Sequence, residues 1–318
     1  MNYIILDLEW NQNPLGKESE EKQMPFEIIE IGAVKCDSNR NVISEFHEYI
    51  RPQVYLEFHH ITQELLHINM NQLMDSDIFE HVINRFFEWC GQDYIFCTWG
   101  AMDLTELQKN LSYYGLNQYF SHAIQYYDIQ KLFSICYEEQ KISRTLEYAI
   151  NILSIPRDYE FHMAINDARY TASIFRGMDI QIVEKNLSID CYLNPKTKKE
   201  EIYIEYEHYS KYISREFRTK EELFADRDMK STVCHKCHKV ASKRMKWFSV
   251  NAKFYYCIAY CKTHGYIKGK IRIKRTDSKK YYGIKTLKFI DDEQIQEVIN
   301  KKQEVQRKRK EKRNKKKQ

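Results

Sequence analysis

Asp7 and Glu9 close the run YIILDLEWNQ at residues 3–12, an apolar, β-prone segment that otherwise reads as buried. Side chains alternate faces along a strand, so positions 7 and 9 project from one side within a few ångströms of each other. Two like charges held that close are unfavourable unless a cation or a proton lies between them. A strand end that has simply reached solvent is the plain alternative, and partners elsewhere in the chain decide between the two. Such partners are present: Asp103 in FCTWGAMDLTEL, and His162 with Asp167 in EFHMAINDARYTA. Carboxylates are the donors that hard cations such as Mg²⁺ or Mn²⁺ prefer. A histidine titrating near neutrality can take a proton from water beside them.

An Asp-x-Glu strand, an Asp after a Trp-Gly strand end, and a His five residues before an Asp that opens a helix occur here in that order. This order, with its intervals, resembles the three motifs of the DEDDh (DnaQ-like, RNase T-like) 3′-5′ exonucleases, over about residues 1–185. The resemblance implies an α/β fold, an RNase H-like mixed sheet with flanking helices. It implies that Asp7, Glu9, Asp103 and Asp167 hold two Mg²⁺ or Mn²⁺ ions and that His162 is the general base. Met163 stands where the tyrosine variant of the superfamily carries Tyr, which favours His162 in that role. Hydrolysis of a phosphodiester needs a nucleophilic water, neutralised phosphoryl oxygens and a stabilised leaving oxygen, and two ions ~3.5–4 Å apart serve all three. Ile61 and Thr62 in EFHHITQELL resemble the segment that lines the 3′-terminal nucleotide in relatives, with Gln63 where those carry Gly; Asn11 is implied to touch the 3′ end. The implied activity is release of nucleoside monophosphates from single-stranded 3′ ends, RNA slightly favoured over DNA. The alternatives are a polymerase-proofreading exonuclease and an inactive fold that binds nucleic acid through its C-terminal part.

CHKC at 234–237 and CIAYCKTHG at 257–265 carry a second metal signal. Cys234, Cys237, Cys261 and His264 form two x₂ knuckles with 23 residues between them, which matches one structural, tetrahedral Zn²⁺. Cys257, His235 and His238 are further donors, so the fourth ligand is open between His264 and Cys257. Beyond the knuckles, YIKGKIRIKRTDSKKYYGIKTLKFI alternates sharply. Ile267, Ile271 and Ile273 are expected to face inward, with Lys268, Lys270, Arg272 and Lys274 outward and the TDSKK turn reversing the chain. Lys270, Arg272 and Lys274, with Tyr281 and Tyr282 nearby, suit phosphate contact and base stacking.

These sites require elements to hold them. Strands are expected at 2–9, 27–37 and 42–52 as an antiparallel meander, then a helix over 76–91, a short strand at 94–100 and a helix over 101–115. Further helices are expected over 128–140, 143–155 and 165–186, the last long and unbroken. The domain reading is 1–185 exonuclease-like, 186–230 a polar connector, 231–290 a zinc-ribbon-like β module and 291–318 a basic tail, disordered or a fraying helix.

Charge follows the same division. Residues 1–185 hold 14 Lys+Arg against 28 Asp+Glu, and residues 186–318 hold 36 against 17, so a metal-binding acidic half precedes a basic half fit for a polyanion. Nine cysteines, four of them between 234 and 261, favour metal ligation over disulfides. With no apolar run long enough to span a membrane and no secretory leader pattern, a cytoplasmic location is expected.

Overall fold

The computed structural model describes residues 1–66, 68–138, 142–190, 192–276 and 278–315. It divides into two compact units, Met1–Leu193 and Asn194–Gln318.

In the first unit β1 (Asn2–Asn11), β2 (Glu27–Cys36) and β3 (Val42–Arg51) form the expected antiparallel meander. Then follow α1 (His60–Leu65), α2 (Met70–Met74), β4 (Asp77–Ile78), α3 (Phe79–Cys90), β5 (Tyr94–Thr98), α4 (Met102–Tyr113) and β6 (Ile124–Asp128). The unit closes with α5 (Ile129–Tyr137), α6 (Leu146–Ile152), α7 (Ala164–Gly177), α8 (Ile180–Glu184) and β7 (Ser188–Asp190). The strand order is β4-β3-β2-β1-β5-β6-β7, a mixed sheet in which β5 runs parallel to both β1 and β6.

Period-two alternation along β1 sorts its side chains between two cores. Tyr3 and Ile5 pack with residues of α5, α6 and α7, while Ile4, Leu6 and Leu8 pack with residues of α3 and α4. Each fully buried Ile or Leu contributes ~1.5–3 kcal/mol, so the strand's register is strongly held. Asp7 and Glu9 continue the parity of Tyr3 and Ile5 and therefore emerge on the α7 face.

Gly32 lies opposite Asp7 in the β1–β2 pairing. A Cβ there would lie 2.0 Å from the Ile165 nitrogen and 2.1 Å from the Ala164 carbonyl carbon. The first turn of α7 thus rests directly on the β2 backbone, an approach that only glycine permits.

The second unit contains β8 (Ile202–Glu205), β9 (Tyr209–Ile213), α9 (Lys220–Ala225), α10 (Arg227–Lys230), β10 (Ser242–Ser249), β11 (Phe254–Cys261), β12 (Gly265–Arg275), β13 (Tyr281–Phe289) and α11 (Asp292–Lys315). Its sheet runs β10-β11-β12-β13-β9-β8 with antiparallel neighbours. Ile271 and Ile273 pack with Tyr212, Phe217, Leu223 and Met229, and Ile267 packs with Leu287, Cys234 and Cys261.

Several expectations change. Residues 186–230 are not a connector: β7 completes the first sheet, and β8 and β9 join the second, with Ile213 pairing Ile284 far along the chain. The partners of β7 and β9 are non-local, while β8 pairs only with β9 in a hairpin at the sheet edge, Glu205 opposite Ser210. The helix expected over 165–186 breaks after Gly177, where the Asp179 side chain accepts the Gln181 N–H and starts α8. The helix expected from residue 143 starts at Leu146, where the Thr145 side chain accepts the Tyr148 N–H at 3.2 Å. Of the two readings of the basic tail, the helical one is found, as α11 through Lys315.

Gly32→Ala is expected to destabilise the protein by at least ~1–3 kcal/mol in urea unfolding, because the added methyl overlaps backbone rather than a yielding side chain. Gly177→Ala, where the nearest outside atom is the Tyr137 hydroxyl at 3.8 Å, is the matched control and should be neutral or mildly stabilising.

Candidate active site and cysteine cluster

Ligand atoms of Glu9, His162 and Asp167 lie within 4.8 Å of one another, although the three residues come from β1, the loop before α7 and the first turn of α7. Asp103 joins from the first turn of α4. The strand β5 pairs only with Asn2–Ile5, so the edge of β1 beyond Ile5 is open there, and the Leu8 N–H donates to Asp103 Oδ1 at 3.3 Å. The β1–β2 register shifts between Glu9 and Trp10, as commonly found beside functional sites.

Burial raises Asp7 well above the carboxylate range, and the nearby charges of Asp103, Glu9, Asp167 and Glu30 raise it further. Glu9 is raised the same way, by burial and then by Glu30, Asp167 and Asp103. Burial lifts Asp103 to about 7 against the opposing backbone N–H bonds, and lifts Asp167 to about 7 against the His162 N–H. Asp167 Oδ1 and Glu30 Oε2 are buried without a hydrogen-bond partner. Acceptors left open among crowded carboxylates are what a hard divalent cation satisfies, so the donor set fits Mg²⁺ or Mn²⁺.

His162 is held from behind. The Tyr170 hydroxyl accepts the Tyr159 N–H at 2.9 Å and donates to the Tyr159 carbonyl at 2.7 Å, Phe161 stacks on Tyr170, and Asn166 Nδ2 donates to the Glu160 carbonyl at 3.0 Å. His162 itself adopts φ 63°, a left-handed conformation that a non-glycine residue holds only where its surroundings impose it. Its N–H donates to Asp167 Oδ2 at 3.4 Å, and its ring is exposed to solvent.

Sequence reasoning missed Glu30. It pairs with Glu9 across β1–β2, is fully buried, and its Oε1 accepts the Ala164 N–H at 3.0 Å while lying 2.9 Å from His47 Nε2. It thereby caps α7 and holds Asp167 against Glu9. An acid inside the otherwise apolar EIIEIGAV was the available signal.

A family model described as an exonuclease, RNase T, matches residues 4–175, more than half of the chain. The chain belongs to the RNase T exonuclease family. The rat (Rattus norvegicus) 3′-5′ exoribonuclease 1 is 24% identical in an alignment of 182 residues that covers 53% of this chain and 53% of that protein. The chain therefore spans about half the length of the curated relative it matches. The nuclease domain of 3′hExo, a DEDDh family member solved bound to rAMP, superposes with a TM-score of 0.52 at 21% identity, covering 59% of this chain and 96% of that one. That likeness shows the RNase H-like exonuclease fold.

Within this exonuclease fold, two of the three residues expected at the 3′ end are not available for contact. Asn11 is fully buried: its Nδ2 donates to the carbonyls of Tyr55 at 3.1 Å and Glu57 at 2.8 Å, and its Oδ1 accepts the His59 N–H at 3.0 Å. The amide's capacity is taken by the chain, so Asn11 shapes the loop instead of meeting a strand end. Thr62 is also buried, its hydroxyl directed to the Trp10 carbonyl at 3.4 Å. Ile61, on the same short helix α1, is exposed.

The cysteine cluster lies outside the region that the exonuclease family matches. Ligand atoms of Cys234, Cys237, Cys261 and His264 converge within 4.8 Å. Cys234 Sγ and His264 Nδ1 are 3.4 Å apart, Cys237 and Cys261 Sγ 3.6 Å, and Cys261 Sγ and His264 Nδ1 3.8 Å. Burial acts to raise Cys261, but the N–H groups of Thr263 and His264 and the His264 ring outweigh it and bring the thiol down to about 6. Cys257 stands apart from the group, paired with Gly269 in the β11–β12 ladder and packed against it; His238 faces Glu205 instead.

The raised acids make folding pH-dependent in the absence of divalent ions. The folded protein keeps protons on Asp103 and Asp167 up to about 7, while an unfolded carboxyl releases its proton near ~3.9. Between those limits the native state binds more protons, so stability falls as pH rises through the window. Thermal melts in metal-free buffer should show lower stability at pH 8 than at pH 5, and saturating Mn²⁺ should abolish that difference. Glu30→Ala is expected to weaken Mn²⁺ binding ~10–100-fold by titration calorimetry, as loss of an outer support does, and Glu30→Gln, which keeps the acceptor for Ala164, less.

Proposed function

We propose that this chain is a metal-dependent 3′-to-5′ exonuclease that removes nucleoside 5′-monophosphates from single-stranded 3′ ends, RNA in preference to DNA. The observation that carries the proposal is the convergence of Glu9, His162 and Asp167 from separated segments, with Asp103 and Asp7 electrostatically coupled to them. The RNA preference draws support from the name of the rat relative, an exoribonuclease, and from the rAMP bound to the structural neighbour.

Asp7, Glu9, Asp103 and Asp167 would hold two divalent ions, Mg²⁺ or Mn²⁺. Such ions, when bound, lower the pKa of water and neutralise charge on the phosphoryl oxygens. The exposed His162 imidazole accepts the proton of the attacking water. The new bond joins the water oxygen to phosphorus, the bond from phosphorus to the 3′ oxygen breaks, and that oxygen takes a proton to leave a shortened strand with a 3′ hydroxyl. Exposed Ile61 offers an apolar surface to the terminal nucleotide.

We also assign one structural Zn²⁺ to Cys234, Cys237, Cys261 and His264. A tetrahedral centre with metal–sulfur bonds of ~2.3 Å and metal–nitrogen bonds of ~2.0 Å has sulfur–sulfur edges of ~3.8 Å and sulfur–nitrogen edges of ~3.5 Å, close to the 3.6 Å between the Cys237 and Cys261 sulfurs and the 3.4 and 3.8 Å from His264 Nδ1 to those of Cys234 and Cys261.

A 3′-hydroxyl oligonucleotide with Mn²⁺ should yield mononucleotides, with Asp7→Ala and His162→Ala each reducing kcat by at least ~10²-fold. Chromatography of products over time reads both, on RNA and DNA of matched sequence. Equal rates for all three proteins would rule out the assigned site, and faster DNA cleavage would reverse the RNA preference.

A further inference from the structure

We infer that one face of the β10–β13 sheet is a platform that grips single-stranded nucleic acid, and that the cysteine cluster staples the hairpin presenting it. The inference extends the exonuclease reading by naming where a strand is held, and it rests on that reading for its purpose. The four strands β10 to β13 contain ten Lys and Arg residues and no Asp or Glu. The whole second unit, residues 194–318, carries 36 Lys+Arg against 16 Asp+Glu. Of the ten, Lys268, Lys270, Arg272, Lys274 and Lys288 alternate onto one face, away from the core-facing isoleucines, and a face with cations and no strand acids suits an anion.

Cross-strand partners share a face, so the ladder places the side chains. Phe254 pairs with Arg272, Tyr256 with Lys270, and Tyr260 with Tyr266. These residues lie opposite to Ile267, Ile271 and Ile273, which point into the cores. Cations sit over the rings: Lys270 and Arg272 lie 5.1 and 5.9 Å from the Phe254 centroid, and Arg244 lies 5.2 Å from that of Tyr260. Helix α11 crosses the same face, with Lys301 5.5 Å from the Tyr256 ring and Val298 buried. Beside it, Lys270, Arg272 and Lys288 are exposed.

Charge next to aromatic surface separates this face from a merely solvated one. Phosphates are met by Lys and Arg, and bases stack on rings in a sequence-tolerant way, the combination found where single strands are bound. A fully paired duplex offers phosphates but no free base faces, so the rings favour an unpaired strand.

The cluster lies at the start of this surface. Cys261 ends β11 and His264 immediately precedes β12, so both ligands belong to the turn that joins the two strands carrying Phe254, Tyr256, Tyr260, Tyr266, Lys270 and Arg272. Cys234 and Cys237 reach that turn from before β10. A metal held there ties the chain ahead of β10 to the β11–β12 turn and fixes the hairpin register.

The test is fluorescence anisotropy of the full chain with a 5′-labelled oligouridine of twenty nucleotides, without added Mg²⁺ or Mn²⁺. No cleavage is needed, so a protein lacking nuclease activity would still report on the platform. Lys270→Gln/Arg272→Gln/Lys274→Gln should weaken binding at least tenfold and reduce the slope of log affinity against log salt by about 2. Phe254→Leu with Tyr266→Leu should weaken RNA binding roughly fivefold or more while leaving inorganic polyphosphate binding unchanged. Both variants should retain one zinc per chain by elemental analysis, which shows that the unit is folded. Removal of zinc from the wild type should lower RNA affinity without abolishing cleavage of a dinucleotide. An unchanged salt slope in the charge variant, equal loss of RNA and polyphosphate binding in the ring variant, or full RNA affinity without zinc would overturn the proposal.

Discussion

Crowding of like charge on one face of one sheet is the constraint around which the first unit is built. Asp7 and Glu9 stand side by side on β1, Glu30 is paired with Glu9 from β2, Asp167 reaches in from α7, and Asp103 from α4. Left alone these groups repel, and burial penalises each charge further. The arrangement persists because Ile4, Leu6 and Leu8 anchor β1 in one core while Tyr3 and Ile5 anchor it in the other. Packing on both sides holds the carboxylates where electrostatics alone would drive them apart, and the unsatisfied oxygens define a place for cations.

The seat of α7 turns that constraint into a site. Gly32 lets the helix touch the β2 backbone, Glu30 accepts its Ala164 N–H, and Tyr170 ties back the loop bearing His162. The first two supports act on the first turn of α7 and the third on the loop that leads into it. A disturbance at any of them moves Asp167 and His162 together, so the site behaves as a unit more than as a set of separable ligands.

The second unit meets a different requirement with a different sheet. Strands β10, β12 and β13 carry cations and no acids, β11 sets rings between them, and the cores are small. The ligand atoms of Cys234, Cys237, Cys261 and His264 converge from segments separated along the chain, an arrangement through which a bound metal would cross-link so small a sheet. Buried Lys285 contributes locally: its Nζ is bonded to the Asp228 and Ser231 carbonyls, closing the end of α10 just before Cys234.

Local signals were sufficient where neighbours in sequence decide the structure. The β1–β3 meander, the apolar stripe of α3, the alternation of Ile267, Ile271 and Ile273, and the acid and cysteine motifs were all legible because side-chain periodicity and ligand spacing are short-range properties. Tertiary structure alone decided the rest. Strands β7 and β9 are fixed by partners elsewhere, Ile213 against Ile284 above all, and β8 is held as a strand only by pairing at the sheet edge with β9. Asn11 looked like a substrate contact until the loop at 55–59 took its hydrogen bonds, and Cys257 stood equal to His264 as a ligand until the β11–β12 ladder turned it toward Gly269. Residue type and spacing determine what chemistry a side chain can perform; which atoms remain free to perform it depends on hydrogen bonds and packing made across the fold.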